Sequence, residues 1–320
     1  MRPCAMRSFP LPTAIGWWIC LTVAVTDVVL IETLNFSVKA DWTLLRSAVL
    51  LALLAGFTIW YARRPSTYRL AVCTSAIIYL AIYSIAVVLM SYLFAAADMP
   101  LADATFVQAD RALGFDWMGW LSWVNDHPGL GMILAYAYQS SMPQVACVLV
   151  LLAFTNHHEH LSQFLTLFWL TTVTTITISA LLPAIGAYEY FQPARHLYEN
   201  LAPSGGIAHI DQVLGLRNGT DRIIDLANLN GLVAFPSFHT QLAVITTWAF
   251  WRVPVVRYAA LGLNGLVIMS TPTQGGHYLV DILAGGSLAV LFILVLQPSV
   301  RIALGNSLSL PRPLVRLRDR

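Results

Sequence analysis

Residues 277–297 read HYLVDILAGGSLAVLFILVLQ. A histidine and an aspartate stand four positions apart, and from Ile282 to Leu296 no charged residue follows. An apolar run of about 20 residues is what a helix needs to cross the hydrocarbon of a bilayer. In such a helix positions i and i+4 lie on one face, so the Asp281 carboxylate can hydrogen-bond the His277 imidazole. The stretch therefore predicts a membrane helix that opens with a chemically competent pair.

Outward from it, windows of about 19 residues place further spans near 14–34, 43–62, 70–95, 129–154, 161–183, 234–252 and 255–271. With 277–297 that makes eight, and the expected fold is an all-α, polytopic membrane helix bundle with about eight transmembrane helices around a six-helix core. Composition agrees: the 320 residues are 58% hydrophobic and only 11% charged, with a mean hydropathy of +0.68. Hydrocarbon satisfies no backbone polar group, which requires the spans to be helical. A nucleic-acid binder, a disulfide-stapled secreted domain and a disordered chain are excluded by the same figures. Arg2 and Arg7 ahead of the apolar run from Ala14 imitate a secretory signal. With no small-x-small cleavage site before Asp27, the run reads as an uncleaved first span.

Three regions are expected. Residues 1–128 hold the N-terminal spans and an interfacial aromatic segment, in which Trp117, Trp120 and Trp123 recur beside Asp110, Arg111, Asp116 and Asp126. That spacing suits a segment lying at the membrane surface. Residues 129–300 form the catalytic bundle and include a long loop, 184–233, broken by Gly205, Gly206, Gly215, Gly219 and Gly231. Residues 301–320 form a basic tail. With a cytoplasmic N-terminus, inside segments carry 12 of the 18 basic residues, so both termini should face the cytoplasm and the long loop outward.

A second polar stretch, Phe235-Pro236-Ser237-Phe238-His239-Thr240, opens the sixth span with proline and serine in the order of a helix start. His239 and His277 are 38 positions apart, one pass down and one back at roughly 20 residues per crossing. Both imidazoles are expected at the same membrane face. Two histidines at two helix starts can bind a phosphate, since free N–H groups and the positive dipole end attract it while Gly275 and Gly276 permit close approach. One imidazole can attack phosphorus and the other can protonate the departing oxygen.

Pro236-Ser237-x-His239-Thr240 followed by His277-x-x-x-Asp281 resembles the second and third motifs of the type 2 phosphatidic acid phosphatase superfamily. Ile210-Asp211-Gln212-Val213-Leu214-Gly215 and the Phe-Pro-Ser-x-His form resemble its inositol phosphorylceramide synthase (inositolphosphotransferase) branch. The resemblance covers residues 180–297. It implies His277 as a nucleophile forming a phosphohistidine, Asp281 as its orienter and His239 as the acid for the leaving group. It implies Ser237 and nearby amides such as Gly276 on the phosphate oxygens, with no metal or other cofactor. The implied substrates are phospholipid, isoprenoid or sphingolipid phosphate esters, reached at the outer face of a bacterial inner membrane.

The chain departs from the family pattern where an arginine should follow Ser270, because Thr271 stands there. Lys39 to Arg46 has the Lys-x6-Arg spacing of the first motif but ends in Ser47. A phosphoryl group in transfer needs a cation, and Arg217 and Arg222 in the outer loop are the expected substitutes. His209, Asp211 and Arg195 could equally bind a headgroup or simply be solvated. His239, His277 and Asp281 also match a zinc ligand count, and His157-His158-Glu159-His160 reads as a solvated inner turn. Asp27 sits inside the first span, where a carboxylate needs a partner or a polar cavity. A transporter or lipid-binding protein using Asp27 and the histidines for protons or ligands is the alternative function.

Overall fold

The computed structural model describes residues 14–296 apart from 40, 98 and 202. The expected basic tail at 301–320, with Arg2 and Arg7, lies outside the described residues. The chain is a bundle of helices with one two-residue strand pairing. In order it runs α1 (Ala14–Thr33), β1 (Ser37–Val38), α2 (Trp42–Ala62), α3 (Tyr68–Ala95), α4 (Asp103–Ala112), α5 (Trp117–Asn125), α6 (Pro128–Gln139), α7 (Ser141–Phe154) and α8 (His158–Leu181). The connection between α8 and the next long helix holds α9 (Ala187–Phe191), α10 (Ser204–Ile207), α11 (Ile210–Asn218) and β2 (Ile223–Ile224). The last three helices are α12 (Phe238–Phe250), α13 (Arg257–Gln274) and α14 (Leu279–Leu296).

Among the described residues five helices, α1, α2, α3, α8 and α14, are long and apolar enough to cross a membrane. The count is six with α6 and α7 taken as one span bent by 46°. The bend has a local cause: Pro143 lacks an N–H and crowds the carbonyl four residues back. The other two of the eight expected spans correspond to α12 and α13. At 1.5 Å per residue the 13 residues of α12 reach only about 20 Å. In α13 the buried side chains include Asn264, Ser270, Thr271, Thr273 and Gln274, a polar row that lowers its hydropathy.

Packing explains that polarity. α12 lies at the centre against α7, α8, α13 and α14, so its neighbours are protein on most sides. Asn264 of α13 donates to Thr246 and Thr247 of α12, and Gln241 of α12 is hydrogen-bonded to Thr175 of α8. By contrast α2, whose large side chains Leu50, Leu53, Phe57 and Trp60 are exposed, touches mainly α3. The core joins α1, α3, α7, α8, α12 and α14 through Tyr79, Tyr83, Leu152, Phe164, Leu167, Leu242 and Ile245.

The helix ends at 33, 95, 181 and 274 and the starts at 42, 128, 238 and 279 belong to one end of the bundle, capped by α4, α5 and the 184–233 connection. There β1 pairs in parallel with β2, Ser37 opposite Ile223, and Lys39 Nζ meets Asp225 Oδ2 at 2.9 Å. The tryptophans of the expected interfacial segment differ in burial. Trp117 is buried, stacks on Phe191 and donates from Nε1 to the Pro272 carbonyl, whereas Trp123 remains exposed.

Candidate active site

The two polar stretches meet where α12 and α14 begin. Ser237 caps α12 in extended conformation, its Oγ accepting the Thr240 amide, which satisfies an N–H that the first turn leaves unpaired. Its own amide donates to the Asp281 carbonyl at 3.0 Å. A Cβ on Gly285 would lie 2.4 Å from the Ser237 carbonyl oxygen, so only glycine lets α14 approach α12 this closely.

His277 sits in the turn between α13 and α14. Pro272 cannot donate to the Ile268 carbonyl, and the Thr271 hydroxyl takes that carbonyl at 2.8 Å instead. The Thr271 carbonyl then accepts from the Gly275 and His277 amides, and Gly276 turns the chain at φ +67°. His277 Nδ1 lies 3.4 Å from Asp281 Oδ2, which also accepts the Tyr278 amide at 2.8 Å. The expected contact is present and both residues are buried, but it is not made on one helix face: His277 precedes α14 and reaches Asp281 in the first turn of that helix.

One cavity of about 260 Å³ receives both catalytic candidates. His239 and His277 line it together with Tyr138, His209 and Gly275. Apolar walls come from Val87, Val88, Ile176, Val233 and Phe238. The Tyr138 ring stacks on His239, centroids 4.0 Å apart and 20° from parallel. Stacking of this kind restrains the plane of the imidazole.

The structure does not bring the four expected phosphate ligands there. Ser237 is fully buried as a helix cap. Gly276 packs on Gly206 and Tyr188 and gives its carbonyl to the Ala187 amide. Arg217 donates to the Ala97 and Met99 carbonyls, tying α11 to the end of α3. Arg222 lies over the Phe36 ring at 4.8 Å. Lys39 and Arg46 are committed to Asp225 and the Trp42 ring, which removes the Lys-x6-Arg spacing from the site as well.

A further correction concerns the start of α14. Its amides were expected to hold a phosphate, but the protein's own carboxylates fill them. Leu279 and Val280 donate to Asp110 Oδ2 and Oδ1 at 2.8 and 2.9 Å. Burial pushes the Asp110 carboxyl up, and these two amides pull it back. Asp103 accepts from the Ile185 and Gly186 amides and from the Tyr278 hydroxyl at 2.9 Å. Both aspartates are buried in α4 and fix the turn that carries His277; the sequence marks Asp110 only as part of a segment at the membrane surface and does not mark Asp103. Sequence spacing could not reveal this, since 103 and 110 reach α14 only through tertiary folding. What remains for an anion is the first turn of α12, where no described residue supplies an acceptor to the Phe238 and His239 amides.

Elsewhere, the His160 ring lies tilted against Trp248 and, with His157, His158, Glu159 and Arg252, lines a pocket near the start of α8 and the end of α12. Asp27 is buried with neither carboxylate oxygen hydrogen-bonded. Among the described residues no three His, Cys, Asp or Glu side chains are placed to hold a metal ion.

A family model described as the PAP2 superfamily matches residues 104–295, which contains α4 through nearly all of α14 and both polar stretches. No curated protein and no solved structure matches the chain.

Proposed function

This chain belongs to the PAP2 superfamily, and from that premise we propose that it cleaves a lipid phosphate ester in the cavity shared by His239 and His277. It is an integral membrane lipid phosphatase or phosphotransferase. The observation that carries the reading is the convergence of His239 with the His277–Asp281 pair on one cavity with apolar walls.

In the proposed reaction Asp281 holds the Nδ1–H of His277, leaving Nε2 as the nucleophile. Nε2 attacks phosphorus, the bond from phosphorus to the lipid oxygen breaks, and His239 gives that oxygen a proton. In the second step His239 takes a proton from the acceptor hydroxyl, whose oxygen attacks phosphorus and releases His277. Water as acceptor makes a phosphatase and a lipid hydroxyl a headgroup transferase. The walls of Val87, Val88, Ile176, Val233 and Phe238 suit an acyl or isoprenoid chain beside the reacting phosphate. Charge on the phosphate oxygens is met by the first-turn amides of α12 and its dipole. The proposed setting is a bacterial inner membrane, and the placement of basic residues supports an orientation with both termini cytoplasmic and the cavity on the outer face.

The test is purified protein in detergent with phosphatidate, with an isoprenoid diphosphate, or with phosphatidylinositol plus ceramide. Free phosphate identifies the phosphatase and a new phosphorylated sphingolipid the transferase. Neither product from any substrate, with His277→Ala indistinguishable from the wild type, would sink the proposal.

A further inference from the structure

His209 stands between α10 and α11, outside the spans, and is 5% exposed. It lines the same cavity as His239 and His277. Each of its ring nitrogens faces a backbone carbonyl: Nδ1 lies 2.8 Å from Gly205 O and Nε2 lies 2.9 Å from Ile185 O. A neutral imidazole has one N–H and can satisfy only one of them, whereas an imidazolium satisfies both. The peptide that presents the Ile185 carbonyl donates its Gly186 N–H to Asp103 Oδ1 at 2.9 Å. A carboxylate on one side of a peptide polarises the carbonyl on the other and strengthens its pull on a donor.

We propose that His209 is an anion-binding residue of this cavity, neutral without substrate, which takes up a proton as the phosphate group enters and so supplies a cation where the described lining holds no lysine or arginine. The inference rests on the reading of the cavity as a phosphate-ester site.

Two opposed effects produce the switch. Burial and the neighbouring His277 pull the His209 pKa down, while the two carbonyls push it up. An arriving monoanion adds a favourable charge to the second side of that balance, and in a low-dielectric cavity such a term is large. The groups facing His209 are His239 and His277 across the cavity, Tyr138 beside Gly205, and Asp103 behind the 185–186 peptide. Asp103 is the only carboxylate among them, and it is held by two amides and the Tyr278 hydroxyl rather than aimed into the cavity. Arg217 donates to the Ala97 and Met99 carbonyls and Arg222 lies over the Phe36 ring.

The experiment measures binding of a short-chain dialkyl phosphate, monoanionic throughout, by calorimetry in two buffers of different protonation enthalpy. The full-length wild type should take up close to one proton per anion, with affinity falling by about tenfold per pH unit above neutrality. His209→Gln, which keeps donors for the carbonyls but no charge, should bind at least about tenfold more weakly and take up no proton. His209→Arg should bind without proton uptake and without pH dependence. His277→Gln should keep the uptake, which assigns the proton to His209 and not to the nucleophile. Equal proton uptake in the wild type and His209→Gln overturns the inference, as does binding by the wild type with no uptake. Should the Gln variant fail to fold, His239→Gln and His277→Gln decide together: uptake that survives in both leaves His209 as the histidine of the cavity that takes the proton, and uptake lost in either overturns the inference. Proton-linked binding without turnover of any lipid phosphate would sink the proposed catalysis and leave the His209 site standing.

Discussion

At the scale of the residue, the proposed reaction divides the work between His239 and His277 by their surroundings. His277 has a carboxylate on Nδ1, and His239 has an aromatic ring on its face and no carboxylate. A proton donor matters most when the leaving oxygen is basic. Changing His239 to Ala should therefore lower turnover of a lipid phosphate by about 10²- to 10⁴-fold. The loss should be much smaller with a nitrophenyl ester, whose leaving group needs no proton. Steady-state rates on the two substrates check this, and equal losses on both would contradict the assignment.

The ground state of His209 adds a second residue-scale expectation. Its pKa is lowered in the folded protein, so between that value and about 6.5 the unfolded chain binds a proton that the folded one does not. The contribution to stability is full above that pH and is lost as the pH falls below it. Thermal melting in detergent without phosphate should decline more steeply below neutrality for the wild type than for His209→Gln. Parallel profiles would remove His209 from the titration.

At the scale of the element, α14 is held at its start by carboxylates and along its side by a missing Cβ. Gly285→Ala places a methyl carbon 2.4 Å from the Ser237 carbonyl, whereas a Cβ at Gly286 meets Thr240 Cγ2 at an ordinary 3.6 Å. The first change should cost about 1–3 kcal/mol and displace Asp281 from Ser237, with activity falling alongside the melting temperature. Gly286→Ala should leave both near wild type, which makes the pair a check on the geometry rather than on glycine content.

What could be read from the sequence follows the same division. The helices, the His277–Asp281 pair and the common end of the two polar stretches came from hydropathy and a spacing of four, which are local properties. The roles of Asp103 and Asp110 were missed because a carboxylate on a mixed aromatic helix looks solvated until the partner amides are known. Ser237 and Gly276 were read as ligands because capping and close packing use the same residue types as anion binding. Arg217 and Arg222 had the right charge and the wrong place, and only the fold gives the place. The short α12 passed for an ordinary span because hydropathy does not distinguish a helix facing lipid from one surrounded by protein.

At the scale of the molecule, the catalytic cavity and the His157–His160 pocket lie at opposite ends of the bundle. A single cysteine at Ala227, in the 184–233 connection, and another at Arg63, after α2, should react with a membrane-impermeant thiol reagent from opposite sides. The measurement needs intact and permeabilised cells and a background without the four native cysteines. Labelling of both positions from the same side would reverse or break the proposed topology.

The most direct measurement is mass spectrometry of protein quenched during turnover of phosphatidate, under conditions that preserve acid-labile phosphate. The peptide containing His277 should carry one phosphoryl group that survives base, is lost in acid and is missing from His277→Ala. Steady turnover with phosphate on no histidine, or on His239 instead, would contradict nucleophilic attack by His277.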